Sequence, residues 1–403
     1  MAPPRLLYCM VATSLAMGAA RVMAEGGTDL RFRANTALVH DSNIFRLSSG
    51  ANVQALTGRS SAAETIGITG VGLNYNKAYS LQRVEFDLAV NKYSYQNFSY
   101  LNFNAIDYNA AWRWAYTPQL RGNLTTSREQ TLNNFVDFQG FNLRNVRADT
   151  NARFDATYEL DARWRISAGL NQSARNNSVQ ISQEADYRLA GAQAGVRYVL
   201  ASGSALGYTW TNSAGTYTSN RSIPSPGFFD DGFDQTDNAI VATWVIGRDS
   251  SADFRIGQRS RKYPTYPQRN FNGFTGAATL NWSLSPKSGL SAGWARDLAT
   301  FETGDFNFTQ TDRFSVGPVW QISPKATVRA QLAYAARDFR GTPTGVATLS
   351  RRDITRDASL SLDWQPFSYL TFGAAVQNAR RSSSLAGFDY TSNSVNLSAQ
   401  FTY

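Results

Sequence analysis

The side chains that ordinarily carry enzyme chemistry are almost missing from this 403-residue chain, which has one histidine, His40, and one cysteine, Cys9. A structural or catalytic metal centre draws on several imidazoles, thiolates or carboxylates in a fixed cluster, so no metal site is expected. His40 stands beside Asp41 and Ser42. Adjacent side chains of an extended chain point apart, however, whereas a nucleophile, its base and the orienting acid must converge. Gly67-Ile68-Thr69-Gly70-Val71-Gly72 has the spacing of a phosphate-cradling loop, but no Lys-Ser/Thr follows it and no helical pattern comes after. Small residues in a strand account for it. No catalysis and no cofactor are expected. What remains is arginine chemistry. Of 39 basic residues only Lys77, Lys92, Lys262, Lys287 and Lys325 are lysine, and the formal net charge is +9. A guanidinium presents a planar fork that matches carboxylates and phosphates. The arginines alternate with apolar residues and form no cluster, so nucleic acid is not an expected partner.

The elements that carry these arginines have a period of two. Val146, Ala148, Thr150, Ala152, Phe154, Ala156 and Tyr158 alternate with Arg147, Asp149, Asn151, Arg153, Asp155 and Thr157. Successive side chains of a strand point to opposite faces, so one face is apolar and the other charged. Residues 83–91, 328–334 and 357–364 repeat the pattern. A soluble antiparallel sandwich also alternates. Here the segments run to about 10–14 residues, where globular strands average about 5–6 and membrane strands need about 9–11. Charged residues are only 17% of the chain.

Turns alternate short and long. The short ones include Thr117-Pro118-Gln119, residues 200–203 and 247–250, Ser285-Pro286-Lys287, Ser323-Pro324-Lys325 and Gln365-Pro366-Phe367; the long ones are 40–60, 130–144, 172–185, 212–237 and 338–352. Trp114, Tyr116, Tyr158, Tyr198, Trp244, Trp282, Trp320 and Trp364 sit on the apolar phase just before short turns. Aromatic rings repeated at one height make an interfacial girdle. At the C-terminus Val395, Leu397, Ala399, Phe401 and Tyr403 alternate with polar residues. This pattern resembles the terminal-strand signature that the barrel assembly machinery reads, with Val395, Leu397, Phe401 and Tyr403 as the signal. The expected fold is all-β: a single transmembrane antiparallel up-and-down barrel of about 18 strands (16–18), with long extracellular loops and short periplasmic turns. Arg5, the apolar run Leu6–Ala20 and Val22-Met23-Ala24 read as a signal peptide over residues 1–24, which leaves residues 25–403 as the barrel, without cysteine. Arg296 falls on the lipid phase of the thirteenth strand and is expected at the upper margin or behind a bulge.

The polar phase then lines the lumen. It carries Arg83, Arg121, Arg147, Arg153, Arg163, Arg165, Arg197, Arg255, Arg313 and Arg329, joined by Arg31, Arg33, Arg259 and Arg337. Asp149, Asp155 and Asp357 share the phase with Glu85, Asp87, Glu129, Glu159, Asp253 and Asp363. The balance is mixed and basic. It reads either as cross-strand Arg/Asp pairs that stiffen the wall or as a polar path of weak anion preference. The loop at 212–237 carries Tyr217, Phe228, Phe229, Asp230, Asp231 and Phe233; folded inward it would gate the path, folded outward it is surface.

The stretch Val39-His40-Asp41-Ser42-Asn43-Ile44-Phe45-Arg46-Leu47 resembles the start of the EpsL-type outer-membrane β-barrel proteins of exosortase (PEP-CTERM)-associated exopolysaccharide operons, with His40, Asp41, Asn43, Phe45 and Arg46 as the matching residues. By local chemistry Asp41 and Asn43 are turn formers and Phe45 an anchor. The resemblance implies a Gram-negative outer-membrane location, a polysaccharide as cargo, a periplasmic polysaccharide export protein as partner, and outer-membrane lipid around the barrel. The leading expectation is an exopolysaccharide export porin. A diffusion porin for small anionic or sugar solutes is the alternative, and a non-conducting structural barrel a third.

Overall fold

The computed structural model describes residues 29–132, 135–137, 143–179, 186–218, 231–301, 306–341 and 350–403. The proposed signal peptide lies outside them. The strands are β1 (Leu30–Asp41), β2 (Glu64–Tyr79), β3 (Gln82–Tyr95), β4 (Phe103–Ala115), β5 (Leu120–Leu132) and β6 (Val146–Glu159). They continue as β7 (Trp164–Asn177), β8 (Tyr187–Val199), β9 (Ala205–Tyr217), β10 (Gly232–Val245), β11 (Ser251–Lys262) and β12 (Phe271–Ser285). The ring is completed by β13 (Ser288–Thr300), β14 (Phe308–Ser323), β15 (Ala326–Arg340), β16 (Arg352–Phe367), β17 (Leu370–Ser383) and β18 (Tyr390–Thr402).

Each strand pairs antiparallel with its sequence neighbours, and β1 pairs with both β2 and β18, so the 18-stranded sheet closes on itself. Closure leaves no edge with unpaired N–H and C=O groups, the condition for a β-structure in lipid. The apolar phase points out. Leu38, Val71, Leu170, Ile256, Leu332 and Leu397, from strands all round the ring, are more than half exposed in the bare chain. A soluble protein would bury such residues; here the membrane covers them. Tyr116, Trp244, Trp282, Trp320 and Trp364 stand exposed near the ends of strands that lead into short turns.

Three short turns are preceded by register shifts, at Ser283/Ser285, Gln321/Ser323 and Trp364/Phe367. The third corrects a turn expected at Gln365-Pro366-Phe367. Phe367 pairs with Leu370 inside the ladder, and the turn is Ser368-Tyr369. Pro366 has no N–H to donate, so the strand bulges past it instead of ending.

Arg296 is not behind a bulge. It lies on the outward row Gly276–Arg296–Asp312. Asp312 on β14 takes it bidentately, at 2.7 and 2.8 Å, and its guanidinium lies 5.9 Å from the Phe274 ring. The pair answers the cost of a lipid-facing arginine by neutralising it on the next strand. Asp312→Asn should therefore lower the stability of the barrel in lipid vesicles by about 1–3 kcal/mol. The double change Arg296→Gln with Asp312→Asn should recover most of it. Urea unfolding midpoints of the three proteins check this.

Candidate functional site

The inward rows make one feature that depends on register alone. Arg165 (β7) faces Arg197 (β8). From Arg197 the hydrogen-bonded row passes through Gly207 and Val241 to Arg255 on β11. It continues through Ala277 and Ala295 to Arg313 on β14. It ends through Ala335 and Thr355 at Arg381 on β17. An inward arginine thus recurs on every third strand from β8 to β17, with small or uncharged residues between. Barrel strands tilt, so following one row around the wall climbs it. Arg197 is two residues from the periplasmic end of β8, and Arg381 two from the extracellular end of β17. The row is a spiral of cations through the membrane, with steps about 14 Å apart across three strands.

Charge compensation along it is uneven. Arg165 is 3.1 Å from Glu159. Arg197 donates to the Thr243 hydroxyl at 2.9 Å, which donates to Asp253 at 2.8 Å. Arg255 and Arg313 have no ion pair or side-chain hydrogen bond among the described residues. Other inward arginines are paired within the wall. Arg83 is 3.4 Å from Glu85, Arg147 is 2.9 Å from Asp149, and Arg153 is 3.2 Å from Asp155. Arg121 pairs with Glu159, and Arg329 with Asp363. Asp357 also takes an inward place on β16. Arg163 does not line the lumen. It sits in the turn after β6, held near Tyr198, because the turn opens at Leu160 and Asp161 caps the backbone N–H groups of Arg163 and Trp164.

Sequence reading missed Arg113, Arg175 and Arg261. Arg113 binds Glu85 at 3.0 Å, Arg175 binds Asp149 at 2.8 Å, and Arg261 lies 3.7 Å over the Phe233 ring. Arg113 was legible between the lipid-phase residues Trp112 and Trp114. Arg175 was hidden because β7 runs six residues into a stretch that reads as loop.

The extracellular mouth is narrowed from within. Asp41 is fully buried and takes Arg46 bidentately, at 2.8 and 3.0 Å, while accepting from the Ser392 hydroxyl at 2.6 Å and the Asn43 N–H at 2.8 Å. Arg46 is bent into the left-handed region, φ +56°. This turn drives Phe45 inward, where it packs on Phe98 at 4.7 Å and Phe135 at 4.8 Å. His40 points outward, its Nδ1 3.0 Å from the Thr65 hydroxyl. So the residues of the 39–47 motif fold the first loop into the barrel. Tyr217 and Phe233 belong to strands β9 and β10 rather than to a gating loop; their rings stand 5.6 Å apart on the inner wall. Asp231 begins the descent into β10, and Phe228, Phe229 and Asp230 lie outside the described residues.

The segment that crosses the mouth comes from the β5–β6 loop. Phe135 is buried against Phe45, and two residues on Asp137 reaches the far wall. Its carboxylate is 2.8 Å from Arg337, 3.2 Å from Arg351 and 3.4 Å from Arg381. Burial works against its charge, and the guanidiniums of Arg337, Arg381 and Arg351 overcome this and hold the carboxyl at about 2. A lowered folded-state value means the contact is fully present above the unfolded value near 3.9 and is lost as pH falls through 2. Single-channel conductance should stay constant from pH 8 to about 4 and rise between about 4 and 2, as this crossing lets go.

Residues 243–403, from the end of β10 to the C-terminus, match a family model described as "Putative beta-barrel porin 2". No curated protein matches the chain in sequence. Among solved structures, the outer membrane protein OpdK of Pseudomonas aeruginosa superimposes with a TM-score of 0.52 at 11% identity, covering 93% of this chain and 99% of that one. This is the fold of an outer-membrane porin. OpdK of the same organism with vanillate gives 0.52 at 12% identity, covering 93% and 99%. OccK2 (OpdF) of that organism in complex with glucuronate gives 0.50 at 10% identity, covering 93% and 96%. The alternation, strand number and closure read from the sequence agree with this architecture.

Proposed function

We propose that the chain is a porin of the Gram-negative outer membrane that passes small anionic solutes, carboxylates above all. The observation that carries this reading is the row Arg197–Arg255–Arg313–Arg381, which climbs the full wall and in which Arg255 and Arg313 have no ion pair among the described residues. Each guanidinium offers a fork to a carboxylate, and the spacing lets a solute pass from one step to the next without a single deep trap. Two proteins of similar fold were crystallised with carboxylates, vanillate and glucuronate, which supports the same solute class here. On this reading the protein does no covalent chemistry, needs no cofactor, and reaches the membrane through the barrel assembly machinery. Flux into vesicles bearing the protein tests it. Glucuronate should enter several-fold faster than glucose; equal or slower entry overturns the reading.

Exopolysaccharide export is a second reading, favoured by the resemblance over Val39–Leu47. It would add a periplasmic polysaccharide export protein as partner. Deleting the gene separates the two. Loss of surface polymer with intact growth on sugar acids supports export, and the reverse supports uptake.

A further inference from the structure

The cluster at the mouth holds more arginine than its fixed carboxylate can answer. Arg351 and Arg381 are 4% and 2% exposed and share buried Asp353, at 2.7 and 3.5 Å. Arg337 brings a third guanidinium. Among the described residues, the two buried cations Arg351 and Arg381 meet two carboxylates with Asp137 in place and one without it. A buried surplus of charge is costly, so a second carboxylate is needed there.

Arg351 and Arg381 are held without Asp137. Arg351 also donates from Nε to Asp353 at 3.1 Å, and its guanidinium lies between the rings of Phe339 and Phe388, at 4.1 and 4.0 Å. Arg381 donates from Nε to the Phe388 carbonyl. The Ser383 hydroxyl fixes Asp353 at 2.7 Å. Asp137, by contrast, follows β5, six to eight strands around the ring from these arginines, and lies 200 residues or more from them along the chain. Beyond the cluster, the described part of its segment is anchored by Phe135. A pre-formed host and a guest on a tether describe the arrangement. Arg381 is also the last step of the arginine row, so whatever leaves the cluster inward meets Arg313 next.

We propose that Arg337, Arg351 and Arg381 form a carboxylate-binding site at the channel mouth, filled at rest by the chain's own Asp137 and entered by a solute carboxylate that takes its place. The exchange swaps one carboxylate for another, so the buried guanidiniums are never left bare, and a neutral sugar gains no entry. The inference rests on the carboxylate-porin reading.

The test uses the full chain in planar bilayers, with glucuronate as probe and glucose as control. Asp137→Asn keeps the shape and removes the competing charge. If Asp137 fills the site about nine-tenths of the time, the glucuronate concentration that half-blocks the current should fall about tenfold in Asp137→Asn. Arg351→Gln or Arg381→Gln should lose the block, and glucose should block none of them. An unchanged or weaker block in Asp137→Asn overturns the proposal. If that variant gives no heat-modifiable barrel, a chain with Cys9→Ser and Val136→Cys replaces it. Glucuronate, and not glucose, should then speed thiol labelling at position 136 several-fold, and no acceleration overturns the proposal. The native channel is measured alongside. Anion preference with no Asp137 effect sinks this inference alone; absence of anion preference sinks the porin reading beneath it.

Discussion

Replacing Arg197, Arg255 and Arg313 together by glutamate should turn an anion-preferring channel into a cation-preferring one. Each change shifts the local charge by two, and the three residues lie on one inward row. Steps about 14 Å apart exceed the screening length of about 8 Å at physiological salt, so each arginine acts on a passing ion nearly alone. A single change should therefore move the selectivity only slightly, and the triple change should reverse it. Arg255 and Arg313 leave no wall carboxylate stranded when replaced, because neither has an ion-pair partner among the described residues. The reversal potential across a potassium chloride gradient gives the answer directly. An unchanged sign in the triple variant would mean that ions pass elsewhere in the lumen.

Deleting Phe401–Tyr403 should cut the amount of folded barrel to about a tenth or less. The Tyr403 N–H donates to the Phe32 carbonyl at 2.9 Å, and the Phe32 N–H donates back to the Tyr403 carbonyl at 2.8 Å. Phe401 pairs with Ala34 on one side and Leu370 on the other, and its ring packs 5.6 Å from Tyr369. Removal frays β18 from both neighbours at the level of the girdle. Backbone groups left unpaired in hydrocarbon cost several kcal/mol each. Tyr403→Ser keeps the backbone and should be milder. The heat-modifiable band in the outer-membrane fraction checks both. Native amounts of the truncated protein would show that the seam closes without its last rung.

The barrel was legible in the sequence because its signal is local. Alternation, girdle aromatics and in-phase ends such as Val395–Tyr403 are each written within a dozen residues. What stayed hidden depends on partners far along the chain. Arg197, Arg255, Arg313 and Arg381 become a row only once turn and loop lengths have set the register of ten consecutive strands. Arg163 shows the converse error. It keeps the polar phase, but Asp161 closes a turn around it, and phase alone does not say where a strand ends. Asp137 gave no signal of its own, because its three arginines stand 200 to 244 residues away. The motif at Val39–Leu47 was legible as turn formers and an anchor. Its bidentate Asp41–Arg46 pair was not, since nothing local says that the turn is buried.

Phe135, fixed two residues before Asp137, sets the leash on the resident carboxylate. Two residues span at most about 7 Å, so a released Asp137 stays beside its arginines at a high effective concentration. A solute with a lone carboxylate then competes at a concentration raised by the inverse of the fraction of time the site stands free. One that adds a second contact, to the wall hydroxyls or to Arg313, competes at lower dose. On the exchange proposed above, the mouth favours solutes with a second anionic or polar contact over monoacids at equal concentration.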